Sequence, residues 1–383
     1  MYHVKTLNKI SPVGLAVLDP AKYTISDECE TPDAILLRSA KMHDYAFNPE
    51  LLCIGRAGAG VNNIPLDRCS EAGIVVFNTP GANARAVMEL VLCGMLMASR
   101  DVPGGMNWLQ TIADDPEVAA KVEKGKSQFV GPEILGKTLG VIGMGAIGYQ
   151  VANAAVALGM TVYGYDPHIK AEFAEKLSPE VQMIDNLDEI YSRSDYLSLH
   201  APVNDKTRGM INEAVIAKMK DGARIINMAR AELVADDDLL AALKRGKIAR
   251  YVTDFPNSKT VAAEGVIAIP HLGASTPESE DNCALMAAEQ TRAYLEHGNI
   301  KNSVNMPGAY LAPGSKVRLT VLYRKAEDIP ALVAELGIQV AASVTESRGD
   351  YAYSIFDLAA PADAAQVEQI RGVEGVLRVR VIG

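Results

Sequence analysis

The segment TLGVIGMGAIGYQVANAAVALGMTVYGYD, residues 138–166, constrains the fold of this chain more than any other. It contains a G-x-G-x-x-G pattern between an apolar, strand-like run and an alanine-rich, helix-like run, and a second strand-like run then ends in an acid. Glycines at these spacings permit a tight turn, let main-chain amides approach a pyrophosphate and let the helix pack closely on the strand. The segment therefore predicts a dinucleotide-binding βαβ unit that carries Gly143, Gly145 and Gly148.

Asp166, at the end of the second strand, predicts which dinucleotide binds. A carboxylate there accepts hydrogen bonds from the adenosine ribose hydroxyls and repels a 2′-phosphate, which favours NAD over NADP. The pyrophosphate is expected at the helix N-terminus, where N–H groups and the helix dipole favour an anion. The alternative is a doubly wound domain without a nucleotide, because glycine-rich turns also serve packing alone.

Charge and cysteine usage exclude several classes of function. The formal net charge is −10 and no long basic run occurs, so neither nucleic acid nor an anionic membrane surface is an expected partner. The most apolar stretch, residues 86–99, is too short to span a bilayer and contains Glu89. An odd number of scattered cysteines without a C-x-x-C pair predicts no disulfide framework, no metal site and a reducing, cytoplasmic location; they are Cys29, Cys53, Cys69, Cys93 and Cys283.

Strand-like and helix-like runs alternate along the first 270 residues, which predicts two consecutive α/β blocks with parallel sheets. A long helix is expected next, capped by Ser275 or Thr276 and ended by Gly298, followed by a linker that ends at Ser315. From Lys316 the order strand, helix, strand, strand, helix, strand is typical of a ferredoxin-like module. The strands predicted in the two blocks are residues 13–18, 34–38, 51–55 and 74–78, then 138–143, 161–166, 196–200, 223–228, 250–255 and 266–270.

Together with the glycine motif, the segments SLHAPV (198–203), INMARAELV (226–234) and IPHLGAST (269–276) resemble the D-isomer-specific 2-hydroxyacid dehydrogenases. The resemblance implies a Rossmann NAD-binding domain, residues 99–284, inserted in a flavodoxin-like substrate domain, residues 1–98 and 285–308. It also implies that residues 314–383 form an ACT-type module with the ferredoxin-like α+β fold. A homodimer is implied as well, with residues 101–117 and Trp108 as the candidate contact, and a tetramer is left open.

Two residues carry the chemistry that the resemblance implies. Arg230 follows a predicted strand and matches the family's substrate arginine, whose planar fork binds a carboxylate in two bonds and keeps its charge. His271 matches the general acid and base, which protonates the keto oxygen during reduction and takes the alcohol proton in the reverse direction.

The remaining candidate site residues bind the substrate or the cofactor. A phosphorylated substrate needs a second cation, for which Arg56 is the first choice, with Arg38, Ser39 and the main chain of Ala57 and Gly58 as further candidates. The cofactor contacts implied by the motifs are Gly143, Gly145, Ala146, Ile147, Gly148, Asp166, His200, Ala201, Pro202, Thr207, Met228, Ala229, Asp254 and Gly273.

The resemblance implies NAD-dependent oxidation of D-3-phosphoglycerate, a small 2-hydroxy acid, to 3-phosphohydroxypyruvate. The alternatives are a reductase of glyoxylate, hydroxypyruvate or another 2-keto acid, and an NAD-sensing protein that has lost catalysis. The family's glutamate partner of the histidine is missing, because the corresponding positions are Ser258 and Lys259. The tail also lacks the turn that serine-binding ACT modules carry, so regulation by serine is left open.

Overall fold

The computed structural model describes residues 1–314 and 317–383, and the chain folds into two compact units. Unit 1 comprises Met1–Asn83 and Pro277–Gly383, and unit 2 comprises Ala84–Thr276. Ser315 and Lys316, the predicted junction between linker and module, lie outside the described residues. The three-domain division remains a prediction. In the described part of the chain, no helix is both long and apolar enough to cross a membrane.

A five-stranded parallel sheet forms the first half of unit 1, in the order β2-β1-β3-β4-β5 that is typical of flavodoxin-like folds. Both faces are buried, as parallel sheets require: Ile35, Leu37 and Ile54 lie in one apolar cluster and Leu36 and Cys53 in another. The strands are β1 (Tyr2–Thr6), β2 (Tyr23–Ser26), β3 (Ala34–Leu37), β4 (Cys53–Arg56) and β5 (Val75–Phe77), with helices α1 (Pro12–Leu15) and α2 (Leu66–Glu71).

The strand predicted at residues 13–18 is wrong, because this segment begins with helix α1. Ser11 caps the helix by accepting a hydrogen bond from the Val13 N–H, and Pro12 occupies its first turn. A Cβ atom added at Gly14 would meet the main chain of Ala284, so a close helix contact decides the local structure. Strands β1 and β2 were missed by the sequence prediction.

Unit 2 is built on a seven-stranded parallel sheet with the order β12-β11-β10-β9-β6-β7-β8. This is the doubly wound order of Rossmann folds, and the strand order reverses between β6 and β9. The strands are β6 (Thr138–Ile142), β7 (Thr161–Tyr165), β8 (Gln182–Met183), β9 (Tyr196–Leu199), β10 (Ala223–Asn227), β11 (Ile248–Thr253) and β12 (Val266–Ala268). Its helices are α3 (Ala84–Ser99), α4 (Val102–Thr111), α5 (Val118–Gly125), α6 (Gly148–Ala157), α7 (Ala171–Ala174), α8 (Leu187–Arg193), α9 (Glu213–Lys218) and α10 (Asp236–Lys244), with 3₁₀ turns at Lys126–Phe129 and Ala231–Leu233.

The chain returns to unit 1 through the long helix α11 (Pro277–His297), as predicted, and ends in an antiparallel sheet of order β14-β15-β13-β16. The tail follows the predicted strand and helix order, and its two helices lie in the crossovers of a ferredoxin-like arrangement. The elements are β13 (Val317–Arg324), α12 (Ile329–Glu335), β14 (Val340–Arg348), β15 (Tyr351–Leu358), α13 (Ala364–Arg371) and β16 (Val376–Ile382).

The C-terminal end of α11 is covered by side chains of this antiparallel sheet. Arg380 donates hydrogen bonds to the carbonyls of Tyr294 (2.9 Å) and Leu295 (2.7 Å), and Arg318 donates to the carbonyl of His297 (2.7 Å). The last carbonyls of a helix lack partners within the helix and carry partial negative charge, so guanidinium groups satisfy them well. The tail is therefore bonded to the helix that precedes it.

Candidate active site

The glycine motif forms a tight turn between β6 and α6. Gly143 has φ +91°, and a Cβ atom there would lie 2.7 Å from the His200 carbonyl carbon, so this position requires glycine. A Cβ at Gly148 would collide with the Gly143 carbonyl oxygen, which explains the close approach of helix and strand. By contrast, the Cβ position of Gly145 has no atom within 4 Å, so there is open space beside the turn at this residue.

Asp166 follows β7 and is held beside this turn. Its carboxylate accepts hydrogen bonds from the main-chain N–H groups of Met144 (2.9 Å) and His168 (2.8 Å). The acid that would bind a ribose thus lies next to the turn at the N-terminus of α6, where a pyrophosphate would bind, and Ala146 and Ile147 lead from the turn into α6. These residues fit a dinucleotide.

His200 follows β9, the strand beside β6 at the reversal of strand order. Its Nε2 lies 2.9 Å from Ser198 Oγ, and its Nδ1 is buried and has no hydrogen-bond partner among the residues that the structure describes. Burial lowers the pKa of His200 to about 4, so the ring is neutral near pH 7. A neutral imidazole with a vacant nitrogen suits a polar ligand contact better than proton transfer.

Residues after His200 form a turn that its own side chains stabilise. The Thr207 hydroxyl donates a hydrogen bond to the Pro202 carbonyl (2.6 Å), and the Asn204 N–H donates to the Thr207 hydroxyl (2.9 Å). Ala201 packs at the edge of an apolar cluster. Thr207 therefore has a structural role in the turn beside its predicted cofactor contact.

Three neighbouring parallel strands end at one edge of the same sheet and are followed by Arg230, Asp254 and His271. Asn227 at the end of β10 is level with Thr253 of β11, which is level with Ala268 of β12. Because the carboxyl ends of parallel strands share one edge, this register brings Arg230 and His271 to the same edge of the sheet. The two residues are 41 positions apart in the sequence.

Asn227 fixes the turn that presents Arg230. It is fully buried, its amide oxygen accepts the Ala229 and Arg230 N–H groups (both 3.2 Å), and its amide nitrogen donates to the Arg230 carbonyl (2.8 Å). Met228 is part of the buried apolar cluster of unit 2. The Arg230 guanidinium donates a hydrogen bond to the Ala229 carbonyl (2.6 Å). Sequence reasoning missed Asn227, although an amide at a strand end before a turn is a usable signal.

Asp254 is 2% exposed and holds the loop that carries His271. Burial raises the pKa of the Asp254 carboxyl, while the charges of His271 and Arg230 and the hydrogen bond from the Gly273 N–H act in the opposite direction. Its Oδ1 has no hydrogen-bond partner within the described residues. A buried oxygen of this kind at a sheet edge is available to a ligand.

His271 is exposed at this edge, and its ring packs against Phe255, with the ring centroids 4.3 Å apart. Within residues 1–314 and 317–383, no carboxylate forms an ion pair with His271. Ser258 is exposed and Lys259 pairs with Asp237 (2.8 Å), so the positions of the family's glutamate supply no partner. Sequence reasoning missed Phe255, because an aromatic residue after a strand is usually part of a core.

The candidate phosphate-binding residues lie in unit 1, where β3 and β4 end side by side with Leu37 level with Arg56. The loops after these strands line a cavity of about 260 Å³. Its lining is polar and basic: Ser39, Lys41, His43, Arg56, Asn62 and Asn63. Lys41 and His43 were missed by sequence reasoning, because they meet Arg56 only when the two strands pair.

The other residues predicted around this cavity have defined positions. The Ala57 N–H donates to the Leu37 carbonyl (2.7 Å), and Gly58 has φ +149°. Arg38 forms an ion pair with Glu280 in the first turn of α11. Since its guanidinium is engaged with Glu280, Arg38 is a weaker candidate for the phosphate than Lys41, which also lines the cavity.

Comparison with known proteins agrees with the chemistry of unit 2. Residues 93–273 match the model of the D-isomer specific 2-hydroxyacid dehydrogenase, NAD binding domain. This matched region, a little under half of the chain, is thus similar to the NAD-binding domain of the D-isomer specific 2-hydroxyacid dehydrogenases.

Curated relatives named D-3-phosphoglycerate dehydrogenase are similar over most of the chain. The protein of Methanocaldococcus jannaschii is 36% identical over 316 residues, 79% of this chain and 57% of the relative. That of Bacillus subtilis is 32% identical over 326 residues, 80% of this chain and 59% of the relative. The chain thus spans little more than half the length of these relatives. An NAD⁺-bound 3-phosphoglycerate dehydrogenase structure from Entamoeba histolytica is 26% identical, with TM-score 0.62, covering 81% of this chain and 99% of that one.

Proposed function

We propose that this protein is an NAD-dependent dehydrogenase that oxidises D-3-phosphoglycerate to 3-phosphohydroxypyruvate, the first step of phosphorylated serine biosynthesis, in the cytoplasm. The observation that carries the proposal is the similarity over about four-fifths of the chain to relatives with this name. The basic cavity around Arg56 supports a phosphorylated substrate, and the edge with Arg230 and His271 supports a 2-hydroxy acid.

The residues of the proposed site have distinct tasks. The Arg230 guanidinium binds the substrate carboxylate and hydroxyl oxygen, and His271 removes the hydroxyl proton during oxidation. Bound NAD supplies the hydride acceptor. The turn at Gly143 to Gly148 holds its pyrophosphate and Asp166 its ribose, while His200, Asp254 and Gly273 contribute polar contacts nearby. No metal is needed for these steps, and among the described residues no cluster suited to a metal ion occurs.

The decisive experiment compares NADH oxidation with 3-phosphohydroxypyruvate, hydroxypyruvate and glyoxylate under identical conditions. The proposal expects the highest kcat/KM for the phosphorylated keto acid, and a preference for NADH over NADPH because Asp166 repels a 2′-phosphate. Higher kcat/KM for glyoxylate would replace the proposal by the reductase alternative. Binding of NADH without reduction of any keto acid would favour an NAD-sensing protein.

Lys41 tests the phosphate-binding cavity. Lys41→Ala is expected to raise KM for 3-phosphohydroxypyruvate by roughly 10- to 100-fold, since a charge-assisted hydrogen bond contributes about 1.5–3 kcal/mol. KM for hydroxypyruvate should hardly change, because this substrate has no phosphate. Steady-state kinetics with both substrates measures the difference. Lys301→Ala, also an exposed lysine of unit 1, is the matched control; equal losses for both substrates would contradict the assignment.

We also propose that the predicted segment, residues 101–117 of unit 2, forms a homodimer contact together with the neighbouring Val130. No residue of α4 is buried, and Val102, Met106, Leu109 and Val130 are 46%, 62%, 40% and 80% exposed. Trp108 packs inside the segment on Phe129, with ring centroids 5.6 Å apart, so the neighbouring aliphatic side chains supply the contact surface. Exposed apolar patches of this kind favour association with another protein surface.

Met106→Glu tests this contact. A charge in an apolar interface is costly, so the variant is expected to change from a dimer to a monomer in light-scattering measurements of mass. Val261→Glu is the control, since Val261 is 57% exposed elsewhere in unit 2 and should leave the dimer intact. A Met106→Glu dimer of wild-type strength would locate the contact elsewhere.

The antiparallel tail is proposed to be an ACT-type module, on the basis of its ferredoxin-like strand order. Helix α12 is only seven residues long and begins at an Asp328 cap followed by Ile329 and Pro330, so the serine-binding turn expected of such modules is replaced by a different start. A role in assembly, including a tetramer, is the simpler proposal for this module. Calorimetric titration of the full chain with serine distinguishes serine binding from a role in assembly alone, because only a serine-binding module would give a binding signal.

A further inference from the structure

Phe255 is the one aromatic side chain seen here to contact both members of the proposed catalytic pair, Arg230 and His271. Its ring centroid lies 4.3 Å from that of His271, with 46° between the ring planes, and the Arg230 Cζ lies 5.3 Å from the same centroid. The Phe255 N–H donates to Thr253 Oγ1 (3.0 Å), so its main chain is anchored to the end of β11. The ring is therefore placed by the sheet itself.

The other groups near His271 do not orient its ring. Asp254 accepts a hydrogen bond from the Gly273 main chain, which fixes the loop, and its carboxyl is buried. Lys259 is engaged with Asp237. Among the described residues, the ring contact of His271 is with Phe255. Packing against Phe255 is therefore the contact that can fix the orientation of the imidazole ring.

An aromatic ring can orient both Arg230 and His271. The negative quadrupole of the Phe255 ring attracts the Arg230 guanidinium, and the ring packs against the His271 imidazole. Contact with a rigid ring also reduces the number of rotamers that each side chain samples, and correct orientation of reacting groups has a large effect on rate. Arg230 and Asp254 are the charged groups that face His271 from the ends of β10 and β11.

We propose that Phe255 is the positioning residue of this site: its ring orients the His271 imidazole and the Arg230 guanidinium. This inference rests on the proposed dehydrogenase function. It assigns to Phe255 a contribution to kcat and to the pH dependence of reduction, and none to binding of the dinucleotide.

Phe255→Leu removes the ring and keeps an apolar side chain. It is expected to lower kcat for 3-phosphohydroxypyruvate reduction by roughly 10- to 100-fold, because misplaced catalytic groups cost about this much. The pH profile of kcat should also change, because the ring contacts the imidazole that delivers the proton. Phe255→Tyr should restore most of kcat and the wild-type pH profile. KM for NADH should stay constant in both variants.

Phe173→Leu is the matched control, because Phe173 is a half-buried phenylalanine of unit 2 that stacks on Tyr149 at 5.6 Å. It should leave kcat and the pH profile unchanged. Phe255→Met is the second non-aromatic variant if Phe255→Leu fails to fold, judged by NADH fluorescence titration. NMR provides a readout without turnover: the His271 ring protons, assigned through His271→Asn, should carry a ring-current shift that Phe255→Leu abolishes.

The outcomes separate this role from the proposed function. An active wild-type protein whose Phe255→Leu variant keeps kcat and pH profile would overturn the role of Phe255 alone. A kcat loss that Phe255→Tyr does not rescue, without any change of the pH profile, would also overturn it. A wild-type protein that reduces none of the three keto acids would overturn the dehydrogenase proposal and this inference with it.

Discussion

Replacement of His271 by asparagine is expected to lower kcat for reduction of 3-phosphohydroxypyruvate by about 10²–10⁴-fold, the usual contribution of a general acid or base. Asparagine keeps a polar side chain of similar size that can still hydrogen-bond the keto oxygen, but it cannot deliver a proton. His271 is exposed at the end of β12 and makes no ion pair among the described residues, so its removal should not disturb the fold.

The same variant should keep NADH affinity near the wild-type value, because the dinucleotide turn at Gly143 lies after a different strand of the sheet. Stopped-flow absorbance at the NADH band measures kcat, and NADH fluorescence titration measures binding. His3→Asn, an exposed histidine of unit 1, is the control. A His271→Asn protein that retains most of the wild-type kcat would mean that another group transfers the proton.

Much of the fold follows from local sequence signals. The second block was predicted from β-branched runs that alternate with helical patterns. Strands β6, β7, β9, β10 and β12 lie within the predicted runs, and β11 begins two residues before the run predicted at residues 250–255. The error at residues 13–18 has a physical cause: the run is apolar enough for a strand, but a Ser11 cap, Pro12 and the contact of Gly14 with Ala284 favour a helix. Ala284 is distant in sequence, so this contact could not be anticipated.

Some residues of the candidate site were likewise predicted from the sequence, and others were missed. Arg230 and His271 were predicted from the family resemblance, and both follow strands whose carboxyl ends lie at one edge of the sheet, where ligands bind in such folds. Lys41 and His43 escaped notice because their link to Arg56 depends on the pairing of β3 with β4. Phe255 escaped because sequence shows that an aromatic residue follows β11 and cannot show that its ring contacts His271. Contacts between side chains that are distant in sequence are therefore the features of the site that local sequence patterns did not predict.

The attachment of the tail to α11 leads to the second large effect. Arg318 and Asp357 are cross-strand neighbours in β13 and β15 and form a two-bond ion pair (2.7 and 3.1 Å), with side chains only 6% and 4% exposed. Arg318 also donates to the carbonyls of His297, Leu311 and Ala312. One buried cation thus joins the antiparallel sheet, the helix end and the segment between them.

Arg318→Ala is expected to lower the free energy of unfolding of unit 1 by about 3–5 kcal/mol, because it leaves the buried Asp357 carboxylate without its cation. Urea unfolding followed by far-UV circular dichroism measures the change. Arg371→Ala is the matched control, since Arg371 is an arginine of the same tail whose pair with Glu368 is half-exposed, and it should cost at most about 1 kcal/mol.

The double variant Arg318→Met, Asp357→Leu separates the charge effect from packing. Replacing a buried ion pair by apolar side chains of similar volume is often neutral, whereas removing one partner is strongly destabilising. The double variant is therefore expected to be more stable than Arg318→Ala. It should remain less stable than the wild type, because the carbonyls of His297, Leu311 and Ala312 lose their hydrogen-bond donor. Equal free energies of unfolding for Arg318→Ala and Arg371→Ala would contradict this prediction, because the buried pair would then contribute nothing measurable to stability. The tail would in that case be held to α11 by its apolar contacts and by the hydrogen bonds of Arg380 and Tyr353.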